Sequence, residues 1–109
     1  MTESEFLERA EAALRQVETA IDAADVDIEL SRAGNVLTLE LDDGSRVVVN
    51  SQAPMQQLWL AARSGAHHYA WVDGGWHDTR DGSEFFASLS RILSALGGTP
   101  IVFGGRTPA

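Results

Sequence analysis

The sequence predicts an α+β fold, a two-layer αβ sandwich with an antiparallel sheet of five to six strands and both terminal helices on one face. Three observations carry this. Helical periodicity appears only near the two ends of the 109 residues. Between them runs a series of short alternating segments separated by Gly, Asp, Asn and Ser turn signals. No helical segment interrupts that series, so the strands lack the crossovers a parallel sheet requires, and the helices must cover a single face. A chain of this length forms one domain able to bury about 65% of its unfolded surface.

The first helix is expected from Ser4 to about Ala24, with Phe6, Ala10, Ala13, Leu14, Val17 and Ile21 on one stripe. Glu8, Glu11, Glu18 and Asp22 fall together beside that stripe. Acids in the first turn suit the positive end of the helix dipole, which accounts for Glu3 and Glu5. It does not account for Asp22, Asp25 and Asp27, at the end where acids are unfavourable. Strands are then expected over Asp27–Ser31, Val36–Leu41, Arg46–Asn50, Gln56–Ala62, Ala66–Val72 and Trp76–Asp78. Asp42-Asp43-Gly44-Ser45 is a hairpin signal, because Gly44 tolerates a positive φ. Pro54 delays the fourth strand until after it. Asp81 is the expected N-cap of the second helix, with Glu84 reaching back in a capping box. That helix carries Phe85, Phe86, Leu89, Ile92, Leu93 and Leu96 on its apolar face and stops at Gly97-Gly98. Thr99–Phe103 is apolar enough to pack along the core, giving a domain over 1–103 and a flexible tail at 104–109.

Charge is distributed unevenly. The first 29 residues hold nine acids (Glu3, Glu5, Glu8, Glu11, Glu18, Asp22, Asp25, Asp27 and Glu29) against Arg9 and Arg15, a local balance of −7 in a chain whose total is −8. Such a block suits a cationic partner, either a metal ion or a basic protein surface, although most charge runs only solvate a face. It argues against nucleic acid, for which there is no basic footprint. With no Cys, disulfides, thiolate metal sites and cysteine catalysis are excluded. All eight basic residues are Arg, so no lysine Schiff base can form. No stretch approaches the roughly 20 apolar residues of a membrane span, and neither a signal peptide nor an Arg-rich presequence is visible.

Candidate metal ligands are Glu11, Glu18, Asp22, Asp25, Asp27 and Glu29. Their carboxylates are hard oxygen donors suited to iron, as Fe²⁺ or Fe³⁺, and to divalent cations such as Mn²⁺, Mg²⁺ or Ca²⁺. Lining a convex surface, they leave most coordination positions to water, so binding should be weak. Trp59 alternates out of phase with Leu58 and Leu60, which puts it on the uncovered sheet face, where an aromatic beside Gln57 has the composition of a binding anchor. His67 is in phase with Tyr69 and Trp71, toward the helices. His68 belongs to the open face, near Trp59, and neighbouring strand positions prevent the two histidines from chelating one ion. Trp76, Asp78 and Arg80 suggest packing and a local ion pair. No nucleophile with ordered partners, phosphate-binding loop or Glu-x-x-His pair is visible, so the chain reads as non-catalytic.

Over residues 4–103 the chain resembles the frataxin family, in its bacterial CyaY-type branch. The resemblance rests on the string Asn50-Ser51-Gln52-Ala53-Pro54-Met55-Gln56-Gln57-Leu58-Trp59-Leu60-Ala61. Asp42-Asp43-Gly44-Ser45, Gly65, His68, Trp76, Asp78, Arg80 and Gly82 before the Phe85-Phe86 helix extend it. It implies a cytoplasmic, monomeric regulator of iron–sulfur cluster assembly that binds iron weakly through acids of the first helix and following strand. It implies as partners the cysteine desulfurase and the scaffold protein, met through Glu18, Asp22 and Asp25 and through Gln57, Trp59 and His68. Thr19, Ala23 and Ala24 stand where many relatives carry further acids, so the ridge is thinner here. An iron carrier or storage protein and a weak ferroxidase are the alternatives.

Overall fold

The computed structural model describes residues 1–24, 26–97 and 103. Helix α1 (Glu3–Ala23) is followed by strands β1 (Ile28–Ala33), β2 (Val36–Leu41) and β3 (Arg46–Gln52). A 3₁₀ turn (Ala53–Met55) leads into β4 (Gln57–Ala62), β5 (Gly65–Val72) and β6 (Gly75–Asp78), and α2 (Phe85–Gly97) closes the order. The six strands pair antiparallel in sequence order, β1 to β6. This is the predicted sandwich, with the upper strand number.

Helix α1 starts one residue before the expectation because Thr2 caps it. The Thr2 hydroxyl accepts from the Glu5 N–H at 3.1 Å, and the Glu5 carboxylate accepts from the Thr2 N–H at 2.8 Å. Two orphan donors of the first turn are thereby satisfied. Phe6, Ala10, Ala13, Leu14, Val17 and Ile21 are all buried, as their spacing predicted.

Strand alternation decides which side chains meet the helices. Leu37, Leu39 and Leu41 of β2, Val47 and Val49 of β3, Leu58 and Leu60 of β4, Tyr69 of β5 and Trp76 of β6 are buried. On α2, Phe85, Leu89 and Leu93 complete the core, and Phe103 packs its ring 5.9 Å from that of Phe86. Each fully buried Leu or Phe contributes roughly 1.5–3 kcal/mol relative to exposure. Residues 104–109, expected as a tail, lie outside the described residues, as do Asp25 and Gly98.

Several boundaries shift for a common reason. Asp73 (φ 51°) and Gly74 (φ 79°) both adopt positive φ, forming a two-residue turn that lets Val72 pair directly with Gly75. Likewise Ala62 pairs with Gly65, so Gly65 opens β5 rather than belonging to the turn. At the second helix the capping expectation is corrected. The Glu84 carboxylate itself accepts from the Phe86 and Ala87 N–H groups, each at 3.0 Å, while Asp81 accepts from Ser83 N–H at 2.9 Å in a preceding turn. Glu84 sits at the cap because α2 begins at Phe85, leaving Asp81 a full turn too early to reach its donors.

Candidate partner and metal surface

The acidic flank of α1 lies against the edge of β1. Within β1, Ile28, Leu30 and Arg32 alternate onto the helix-facing side, and Arg32 stands opposite Leu37 in the β2 register. From there the guanidinium reaches α1. Its Nη1 donates to Glu18 at 3.0 Å, its Nη2 to Glu11, and its Nε to the Gly34 carbonyl at 3.0 Å. Arg15, one helical turn beyond Glu11, adds a 3.2 Å contact to the other Glu11 oxygen. Hydrogen bonding from Arg32 holds the Glu11 carboxyl below its usual range, and Glu11 in turn pushes the Arg32 guanidinium up.

Sequence spacing missed Arg32, which lies 21 residues from Glu11 and 14 from Glu18. A signal was available. An arginine in the inward phase of an edge strand must find carboxylates nearby, and α1 carries the acids.

The remaining acids are arranged differently. Asp22 and Asp27 are exposed, and Asp25 lies outside the described residues. Glu29 is exposed on the open sheet face, directly opposite Glu40 in the β1–β2 register. Like charges so placed destabilise a strand pair slightly, and a cation between them would relieve the repulsion. Glu40 has a partner in Arg46 at 3.9 Å, an exposed and weak pair. Asp27, Glu29, Glu40 and Asp42 line one groove of about 570 Å³. Among the described residues no three carboxylates or imidazoles gather closely enough to hold one metal ion. The five candidate ligands among the described residues (Glu11, Glu18, Asp22, Asp27 and Glu29) therefore do not form a single chelate. Glu11 and Glu18 are joined through Arg32, while Glu29 belongs to the other side of the sheet.

On that open face Trp59 stands opposite Asn50 of β3 and His68 of β5. The indole and imidazole are stacked, with centroids 4.3 Å apart and planes 15° from parallel. Trp59 Nε1 donates to Gln57 Oε1 at 2.9 Å. Trp59 thus faces the uncovered side as its phase predicted, but His68 covers part of it, leaving it half-buried. Gln57, Trp59 and His68 form one contiguous unit because alternate strand positions and the β4–β5 register bring them together.

His67 faces the helix side and is half-buried, with Nδ1 3.5 Å from Asp78 Oδ2. The expected ion pair of Asp78 with Arg80 is replaced by this contact. Asp78 meets only the backbone of Arg80, accepting its N–H at 2.7 Å. Trp76 packs edge-on against Phe6 and Trp71, a structural role. No helix among the described residues is long and apolar enough to cross a membrane.

Known proteins share this architecture. A family model described as a Frataxin-like domain matches residues 1–99. The iron-sulfur cluster assembly protein CyaY of Paraburkholderia phymatum is 52% identical over 101 residues, spanning 93% of this chain and 96% of that relative. The structure of frataxin from Psychromonas ingrahamii superposes with a TM-score of 0.90 at 32% identity, over 94% of this chain and 98% of the other. Trimeric frataxin from the yeast Saccharomyces cerevisiae, solved in complex with ferrous iron, shares the fold at a TM-score of 0.62 and 23% identity, over 89% of this chain and 86% of the other.

Proposed function

The chain belongs to the frataxin-like family, and from that membership we propose that it is an iron-responsive regulator of iron–sulfur cluster assembly. Its acidic ridge docks on a basic surface of the cysteine desulfurase, and the Trp59 face contacts the scaffold protein. The name carried by the CyaY relatives, an iron-sulfur cluster assembly protein, supports the pathway. The observation that carries the docking reading is the presence of two unlike surfaces on one sheet, an acidic edge at β1–β2 and an aromatic on β4. The half-buried aromatic on the open face is already held in place.

Long-range attraction between the ridge and a basic partner accelerates encounter and selects orientation. Asp22, Asp27 and Glu29 supply the outward charge, with Glu18 at the margin, and Asp25 adds a further acid to the same stretch of sequence. Trp59, oriented by Gln57 and His68, supplies the apolar anchor. Ferrous or ferric iron, or a divalent cation such as Mn²⁺, binds these carboxylates weakly, because among the described residues they do not converge and water completes the coordination shell. Bound iron cancels part of the charge that drives docking, so iron level and assembly rate become linked. Docking of this kind needs no nucleophile or acid–base pair, and the protein acts as a monomeric adaptor in the cytoplasm. An iron carrier or storage role would require several ions held firmly by each chain, and the dispersed carboxylates favour it less.

The test is desulfurase affinity measured across ionic strength. Binding should weaken steadily with salt, and Asp22→Lys or Asp27→Lys should each reduce it roughly tenfold at low salt. Salt-independent binding unaffected by charge reversal would contradict the proposal.

A further inference from the structure

Glu11 and Glu18 lie on the flank of α1 that the charge pattern marks for cation binding, yet a residue of the chain already spans them. The Arg32 guanidinium makes three contacts at once, to Glu11, to Glu18 at 3.0 Å and to the Gly34 carbonyl at 3.0 Å. Its stem rises from the helix-facing side of β1, and its side chain is only 21% exposed. We propose that Arg32 is an internal counter-ion that sets the cation affinity of the acidic ridge, closing Glu11 and Glu18 and directing incoming cations to Asp22, Asp27 and Glu29. The inference rests on the reading of the ridge as a cation-docking surface.

Occupying Glu11 and Glu18 requires displacing Arg32. A metal ion, or a guanidinium from a partner, can use Glu11 and Glu18 only by breaking two charge-assisted hydrogen bonds and leaving a largely covered arginine without its carboxylates. At Asp22 or Asp27, both exposed, the same cation displaces only water. Arg15 provides the contrast within the molecule. It also touches Glu11, but through one 3.2 Å contact from a side chain that is 71% exposed, and such a pair yields to competition easily. The two arginines carry equal charge and differ in fixation, so only Arg32 partitions the ridge. The ridge is therefore narrower than its carboxylate count suggests, and its open part is displaced toward the β1–β2 corner.

The experiment is a Mn²⁺ titration of the isotopically labelled full chain, read as paramagnetic broadening of backbone amides residue by residue. In the unmodified chain, broadening should appear first around Asp22, Asp27 and Glu29 and spare Glu11 and Glu18. Arg32→Gln should bring Glu11 and Glu18 into the broadened set and tighten Mn²⁺ binding roughly fivefold. Arg15→Gln, which removes the same charge, should change affinity by less than about twofold. Adding Glu11→Gln and Glu18→Gln to Arg32→Gln should erase the gain. Should Arg32→Gln fail to fold, Arg32→Lys keeps the charge, loses the fork that spans both carboxylates, and should show part of the gain. Broadening at Glu11 and Glu18 as early as at Asp22 in the unmodified chain, or equal effects of the two arginine substitutions, would overturn the inference while leaving the docking reading intact. Absence of Mn²⁺ binding in every chain would overturn both.

Discussion

Trp59 and His68 lie face to face across the β4–β5 pair, ring centroids 4.3 Å apart and planes 15° from parallel. With the indole N–H also held by Gln57, the tryptophan occupies a fixed orientation on the open face before any partner arrives. Fixing an anchor in advance reduces the ordering cost of association. Trp59→Ala is therefore expected to weaken association with the cluster-assembly partners by about 2 kcal/mol or more, roughly thirtyfold. His68→Ala, which frees the ring without removing it, should cost a few-fold at most. Binding titrations of both variants against purified desulfurase and scaffold check this, and equal losses would show that the stack itself is the recognised feature.

Acid should loosen the joint between α1 and β1. Arg32 holds the Glu11 carboxyl below its ordinary value of 4.5, so the pair favours the folded state above that pH and loses its contribution as pH falls through the lowered folded value. Because the Glu11 side chain is 44% exposed, solvent screening limits the effect to about 1 kcal/mol or less. Urea unfolding between pH 6 and pH 3 is expected to show a shallower acid loss in Arg32→Gln than in the unmodified chain. Parallel profiles would mean that Glu11 gains nothing from its partner.

The two faces of β4 should differ in their sensitivity to substitution. Leu60 is fully buried between the sheet and the helices, so Leu60→Ala is expected to cost about 2–5 kcal/mol through lost transfer energy and the remaining cavity. Ala61, its neighbour on the open face, is exposed, and Ala61→Ser should stay within about 0.5 kcal/mol. Denaturant midpoints distinguish the two directly.

Gly44 tests the hairpin that joins β2 to β3. Its φ is +88°, and a Cβ built there meets nothing within 4 Å, so any penalty comes from backbone conformation rather than crowding. Gly44→Ala should destabilise by about 1 kcal/mol, partly offset by the reduced entropy of the unfolded chain. A neutral result would indicate that the turn relaxes into another type.

Elements with a strong local period were legible in the sequence. The α1 stripe from Phe6 to Ile21 and the inward Leu37, Leu39 and Leu41 of β2 follow directly from repeats of 3.6 and 2, and those periods also placed Trp59 and His68 on the open face. The cap of α2 was misplaced because Asp81 is a preferred cap residue by type, whereas Glu84, which caps the helix, is not. The choice depends on where the β6 connection delivers the chain, with Asp78 N–H already donating to the Ser83 carbonyl at 2.8 Å. The ridge was only half legible. Periodicity placed Glu11 and Glu18 on one flank, but their partner Arg32 arrives from β1 through tertiary packing, which no local window contains. Charge counting alone therefore overstated the free carboxylates of α1.

The most direct measurement is the rate of desulfurase-driven cluster formation on the scaffold protein, at low and high iron, with and without this chain. The expected result is a rate change that depends on iron, fades at high salt and disappears with Trp59→Ala. An unchanged rate at both iron levels, with no complex detectable at low salt, would contradict it.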